Sequence, residues 1–332
     1  MLNSKITYLK KLELFKLLDD HQNGKFFAIA DYRTKNHLPQ WIQFSPHVFW
    51  IKNPEEEKNL ECYGRAIDFF INQGIQRDHV IYAFGGGATT DMAGFVAATV
   101  LRGIDWIAVP TTLLSMVDAA IGGKVGVNLA SGKNLVGAFH APQSVLICSE
   151  FLNSLADKEM WSGKGEILKY GLLSKDIYEL ILKKAPLDEI IMESAKFKQR
   201  VVEQDFKERG ERIFLNLGHT LGHAFEVSLK IPHGLAVAMG IKYILRYSGA
   251  SVALEEWEKL VKALALPLEK LEISQYDHFS IKSFVSYLEQ DKKKARNLIR
   301  LVLVKSVGAC YVEEVPLKEF IQKIQASNDF KY

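Results

Sequence analysis

The stretch NLGHTLGHAFEVSLKIPHG, residues 216–234, sets three of the chain's nine histidines, His219, His223 and His233, within fifteen positions. Imidazoles at this density can ligate a metal, move protons, or fill a core with their nitrogens satisfied. His219 and His223 stand four apart, so both can leave one face of a helix, as the paired histidines of HExxH metalloenzymes do. The glutamate that HExxH places between them is missing here. Glu166, upstream in KGEILKYG, offers a carboxylate oxygen, and with it the cluster reads as a metal centre in preference to core histidines. Spacing alone nominates His219 and His223 as the ligand pair and leaves His233 outside. Glu166 and Lys169 lie one helical turn apart, which by itself fits an ordinary surface ion pair. Glu208, Arg212 and Asn216 lead into the histidine stretch.

Two other stretches carry chemistry. AFGGGATTDMAGFVAAT (83–99) reads as a strand, three glycines (Gly85, Gly86, Gly87) and a helix, an arrangement that brings backbone N–H groups close to a phosphate. As a dinucleotide fingerprint it is imperfect, because Thr90 stands where GxGxxG has its third glycine. A tight strand–helix turn is the plainer alternative. In residues 110–142, Asp118, Lys124, Lys133 and Asn134 lie among small residues and glycines. Polar groups in so apolar a setting need partners, and two lysines beside glycine turns suit an anionic ligand; a long surface loop with scattered charges is the bland reading. Asp31, ending the first expected strand, suits either a ribose hydroxyl or a helix cap. The basic cluster Lys292–Lys294 reads as a solvated turn before a strand.

The elements that must position these groups follow from apolar patterning. Runs at 25–31, 47–52, 79–87, 105–111 and 144–150 are rich in Val, Ile and aromatics, and helical patterns lie between some of them. That alternation predicts an α/β, Rossmann-like domain with a parallel sheet over residues 1–150. From 151 to 332 the apolar spacing becomes three and four, which predicts a mainly α-helical domain, with one late hairpin over 297–315 and the site in the cleft between the domains. A formal net charge of +3 over 332 residues argues against nucleic acid or membrane as partners. Three scattered cysteines, Cys62, Cys148 and Cys310, form no CxxC and point to a reduced, cytoplasmic chain; no apolar run approaches membrane-spanning length.

The motifs GGGATTDMAGFVAAT, RGIDWIAVPTTLLSMVDAAIGGKVGVN, GKNLVGAF, GEILKYG, NLGHTLGHAFE, HGLAVAMG and DKK occur in an order and spacing that resemble the 3-dehydroquinate synthase family, over about residues 26 to 312. The resemblance implies a homodimeric lyase of the shikimate pathway that uses NAD and a divalent metal, zinc or in its place cobalt. It would convert 3-deoxy-D-arabino-heptulosonate 7-phosphate to 3-dehydroquinate and phosphate through transient oxidation, phosphate elimination, re-reduction, ring opening and aldol closure.

Carried over residue by residue, the resemblance makes Glu166, His219 and His233 the metal ligands and His223 an active-site histidine beyond them. Glu208 matches the proton acceptor. Asp118, Lys124, Asn134, Lys169, Lys198, Arg212, Asn216 and a lysine of DKK (Lys292 or Lys293) match substrate contacts, Lys169 and Asn216 serving catalysis as well. Arg102 matches an arginine that reaches the partner subunit's substrate. Asp31, Glu55, Lys58, Gly85, Gly86, Gly87, Asp91, Thr111, Thr112, Lys133 and Ser154 match NAD contacts. Thr90, Ser154 and Gly165 depart from the family's usual glycine, threonine and alanine. Another sugar phosphate cyclase, a metal-dependent polyol dehydrogenase and a non-catalytic NAD-binding descendant are the rival readings.

Overall fold

A computed structural model of the protein describes residues 4–20, 26–292, 298–327 and 330. The chain separates into two compact units, Met1–Ala156 with Lys198–Lys207, and Asp157–Phe197 with Glu208–Tyr332.

The first unit is built on a six-stranded sheet. Its strands are β1 (Lys5–Tyr8), β2 (Phe26–Asp31), β3 (Val48–Ile51), β4 (Val80–Gly85), β5 (Asp105–Pro110) and, after a hairpin of β6 (Lys124–Leu129) and β7 (Gly132–Phe139), β8 (Ser144–Ile147). The spatial order is β1-β8-β5-β4-β2-β3, and every pairing is parallel. Strand β2 is buried at every residue and β4 and β5 at all but their first, as expected of a sheet covered on both faces. The chain runs outward from β2 to β3, then returns to place β4 on the other side of β2. The carboxyl ends of β2 and β4 therefore flank a topological switch point, the usual ligand crevice of such sheets. Asp31 ends β2, and Gly85 ends β4 with Gly86 and Gly87 leading into the next helix.

The helix Gly87–Thr99 is apolar nearly all round because it is covered on opposite sides. A Cβ on its Gly94 would lie 2.8 Å from Trp106 of β5 and 2.4 Å from Val125 of β6. Two features were not read from the sequence. Residues 110–142 are not the surface loop of the bland alternative: they form a π-helical turn, Ser115–Ala119, and the antiparallel β6–β7 hairpin. Strand β1, KITY, is short and half-exposed at the sheet edge, and its sequence carries too little apolar pattern to announce it.

The second unit is mainly helical. Its centre is the helix His233–Ser248, buried on every side from Gly234 to Leu245, as the continuous apolar run GLAVAMGIKYIL requires. The helices Asp157–Leu173, His219–Leu229 and Ser251–Ala263 pack against it. The late hairpin consists of β9 (Leu298–Ser306) and β10 (Ala309–Pro316), antiparallel. Among the described residues no helix is long and apolar enough to cross a membrane.

Candidate functional site

The helix Asp157–Leu173 carries Glu166 at its fully buried middle. Its approach to the central helix is backbone on backbone: a Cβ on Gly165 would lie 2.0 Å from the Gly234 carbonyl oxygen, and one on Gly234 would lie 2.2 Å from that of Ser162. These glycines sit beside Glu166 and His233 and let the two side chains meet. Gly218 begins the helix His219–Leu229 in the left-handed region, at φ 77, which makes His219 its first residue. That helix ends on Lys230, also left-handed, and Pro232 opens the next with His233 at its first position. The turn 230–232 folds His233 back onto the helix of His219.

The result is a compact donor set. One donor atom each from Glu166, His219 and His233 lie within 4.8 Å of one another. Glu166 Oε1 is 3.3 Å from His219 Nε2 and 3.1 Å from His233 Nε2. Donors about 2.1 Å from a tetrahedral zinc stand roughly 3.4 Å apart, so these separations suit a shared cation. The outer ring nitrogens point the same way. His233 Nδ1 donates to Glu226 Oε2 at 2.8 Å and His219 Nδ1 to the Leu217 carbonyl at 3.2 Å, which turns both Nε2 atoms toward Glu166. Glu166 Oε2 is taken by the ammonium of Lys169, buried and one turn along the same helix, so Oε1 alone faces the histidines. The surface pair suggested by spacing is thus a buried one. Burial opposes the Glu166 charge, but Lys169 and His219 beside it hold the carboxyl well below its usual range. Burial likewise opposes a charge on His233, and its bonds to Glu166 and Glu226 outweigh that, pushing it up to about 10.

His223 lies one turn beyond His219 and is exposed. Its ring meets that of His219 edge-on at 5.4 Å between centroids, and its nitrogens are outside the donor set. The nomination of His219 with His223 by helical spacing is therefore corrected: the pair that converges on Glu166 is His219 with His233. Nearby in the chain, Asn216 Nδ2 donates to Glu208 Oε1 at 2.9 Å, and Glu208 holds a left-handed backbone at φ 55. Arg212 is buried in the 3-10 turn Glu211–Asn216. Lys292 ends the helix Ile281–Lys292, while Lys293 lies outside the described residues.

In the first unit, Gly86 caps the helix Gly87–Thr99, and the Thr90 hydroxyl bonds back to the Gly87 carbonyl at 3.1 Å. Thr111 N–H donates to the Gly85 carbonyl at 3.0 Å, which sets Thr111 and Thr112 beside the glycine turn. Asp31 is occupied as a cap: it accepts from Arg33 N–H at 2.9 Å and binds the Arg33 guanidinium with both oxygens. The β6–β7 hairpin gathers a second group. Lys58 Nζ donates to Asp91 at 2.5 Å and to Asn134 Oδ1 at 2.6 Å, and exposed Lys133 stands 3.5 Å from Glu55. Burial raises the Asp91 pKa against the opposing pull of Lys58. Lys198 binds both the carbonyl oxygen (2.7 Å) and the carboxylate (2.8 Å) of Asp118 in the π-turn. Lys124, at the start of β6, is exposed, as are Arg102 and Ser154.

The sequence reading missed Glu226. It follows His219 by seven residues and His223 by three, so a helical count places all three on one face.

A glycine turn at the switch point of a parallel sheet, together with a Glu–His–His donor set in a helical unit, defines the dehydroquinate synthase-like class of fold. A solved structure of 2-epi-5-epi-valiolone synthase from Streptomyces hygroscopicus has this fold, with a TM-score of 0.82 at 20% identity over 98% of this chain and 96% of its own. Within the class the sequence is more specific. The family described as 3-dehydroquinate synthase N-terminal matches residues 48–162, and that described as 3-dehydroquinate synthase C-terminal matches residues 163–294. The 3-dehydroquinate synthase of Corynebacterium diphtheriae is 39% identical, covering 82% of this chain and 79% of its own. That of Clostridium tetani is 36% identical, covering 95% and 90%. The chain belongs to the 3-dehydroquinate synthase family.

Proposed function

We propose that this protein is a 3-dehydroquinate synthase, converting 3-deoxy-D-arabino-heptulosonate 7-phosphate to 3-dehydroquinate and phosphate with NAD and one divalent metal. The observation that carries the reading is the convergence of Glu166, His219 and His233 in a chain of this family. The valiolone synthase of the same fold holds NAD+ and Zn2+, and a 2-deoxy-scyllo-inosose synthase holds NAD+ and Co2+, which supports the choice of cofactors. When bound, NAD supplies reversible hydride transfer and the metal supplies a Lewis acid.

The chain's own groups divide the remaining work. Glu166, His219 and His233 hold the metal. Gly85, Gly86, Gly87, Thr111 and Thr112 offer backbone and hydroxyl donors to the NAD pyrophosphate at the carboxyl edge of the sheet, and Asp31, Glu55, Lys58, Asp91, Lys133 and Ser154 complete that side. The substrate is a dianion or more; Lys124, Lys198, Arg212 and the DKK lysine supply its counter-charges and Asn134 a neutral donor. Asp118, Lys169 and Asn216 contact and orient it, Asp118 also holding Lys198. Glu208, oriented by Asn216, would take the proton lost as phosphate departs. His223 faces the substrate beyond the metal ligands. With NAD bound, hydride transfer in both directions would leave no net redox change. Assembly is as a homodimer with Arg102, exposed on a left-handed turn at φ 70, reaching the neighbouring copy's substrate, and the enzyme works in the cytoplasm.

The test is phosphate release from the heptulosonate phosphate in the presence of NAD and zinc or cobalt, with no net NADH. Chelation should abolish it and added metal restore it. No release with metal and NAD supplied would overturn the function, and full turnover by protein verified metal-free would overturn the role of the three ligands.

A further inference from the structure

We propose that Glu226 is a positioning residue for His233 and sets the affinity of the metal centre. The inference rests on the metal reading above and adds a residue to it. Glu226 Oε2 lies 2.8 Å from His233 Nδ1, and both side chains are largely covered, at 21% and 25% exposure. A carboxylate there fixes the proton on Nδ1, so that Nε2, which faces Glu166 Oε1, is the nitrogen that exchanges its proton for a metal, and makes it a stronger ligand. His219 has a weaker support, the neutral carbonyl of Leu217 at 3.2 Å. The two histidine ligands are thus unequally backed.

Geometry gives Glu226 a second task. His219, His223 and Glu226 occupy one face of the helix His219–Leu229, whereas His233 opens the next helix after the turn 230–232. One helix therefore supplies a ligand of its own and the clamp for its neighbour's ligand. Charge gives a third. Both histidines are first residues of helices, whose amino ends carry partial positive charge and disfavour a dication. Glu166 shares its charge with Lys169. Glu226 brings a second carboxylate to the rim of the donor set.

The experiment measures Zn2+ and Co2+ affinity of metal-stripped protein against a chromophoric chelator, for the unaltered chain, E226Q and E226D. E226Q keeps size and an acceptor oxygen but loses the charge; its affinity should fall about 10- to 100-fold, with the near-ultraviolet dichroism unchanged. E226D keeps the charge with a shorter reach and should fall in between. Parent-like affinity in E226Q, with the parent's cobalt absorption spectrum, overturns the inference. Should E226Q misfold, E226D decides: reduced affinity supports the role and parent-like affinity overturns it. Failure of the unaltered chain to bind either metal would instead remove the metal reading itself, and this inference with it.

Discussion

At the residue scale, three neighbouring histidines are placed in two different settings. His233 faces Glu166 Oε1 at 3.1 Å, while His223 is exposed and outside the donor set. Alanine at either position removes the same imidazole, so the two variants separate ligation from substrate chemistry. His233→Ala should lower metal affinity by more than about a hundredfold, because three protein ligands become two. His223→Ala should bind metal as the parent does and lose turnover, by about 10²- to 10⁴-fold if it moves a proton. Chelator competition and steady-state rates measure the two effects. Equal metal loss in both would return His223 to the ligand set, as helical spacing first suggested.

At the scale of elements, the donor set depends on how closely two helices approach. Gly165 and Gly234 each flank a residue of the donor set and sit where a side chain would collide with backbone. The family resemblance leads one to expect alanine at 165, and the sequence has glycine. Gly165→Ala gains roughly 1 kcal/mol of helix propensity, but its Cβ would stand 2.0 Å from the Gly234 carbonyl oxygen and 2.4 Å from its carbonyl carbon. Backbone cannot swing aside as a side-chain tip can, so a net loss of about 1–3 kcal/mol is expected, read from the denaturant midpoint. Metal affinity should fall with it, since Glu166 must move with its helix. A midpoint unchanged or raised would mean the helices sit further apart than described.

The same scale explains what the sequence could disclose. The buried strands β2, β4, β5 and β8 were legible because a covered sheet demands runs such as FFAIAD and VIYAFG. The β6–β7 hairpin was hidden because Gly126 and Gly137 read as turn signals. They are instead where the two strands press together, a Cβ at either lying 2.2–2.5 Å from the opposing carbonyl. The histidine pair was misread for a related reason. Spacing within one helix reports only that helix, whereas His233 arrives through the left-handed Lys230 and the Pro232 cap that fold the next helix back. The family resemblance supplied that pairing, and local periodicity could not.

At the scale of the whole molecule, a near-neutral chain keeps its buried cations paired with its own acids. Lys58, Lys169 and Lys198 are each under a tenth exposed, and Asp91, Glu166 and Asp118 hold them. Burial acts as uniformly on the thiols. Cys62 and Cys148 lie in the first unit and Cys310 in the second, and burial raises all three, Cys62 and Cys310 to about 11 from 9.0. The sign follows from the charged form being the reactive one. Two pH units of elevation leave about a hundredfold less thiolate at pH 8 than a free thiol has, before any steric shielding is counted. The native protein should therefore react slowly with an aromatic disulfide reagent at pH 8 and release three equivalents on denaturation. Raising the pH should accelerate the native reaction of Cys62 and Cys310 tenfold per unit until about pH 11, because their thiolate remains the minor form throughout. A full equivalent released within the mixing time at pH 8 would mean that at least one thiol is far more open to solvent than its packing implies.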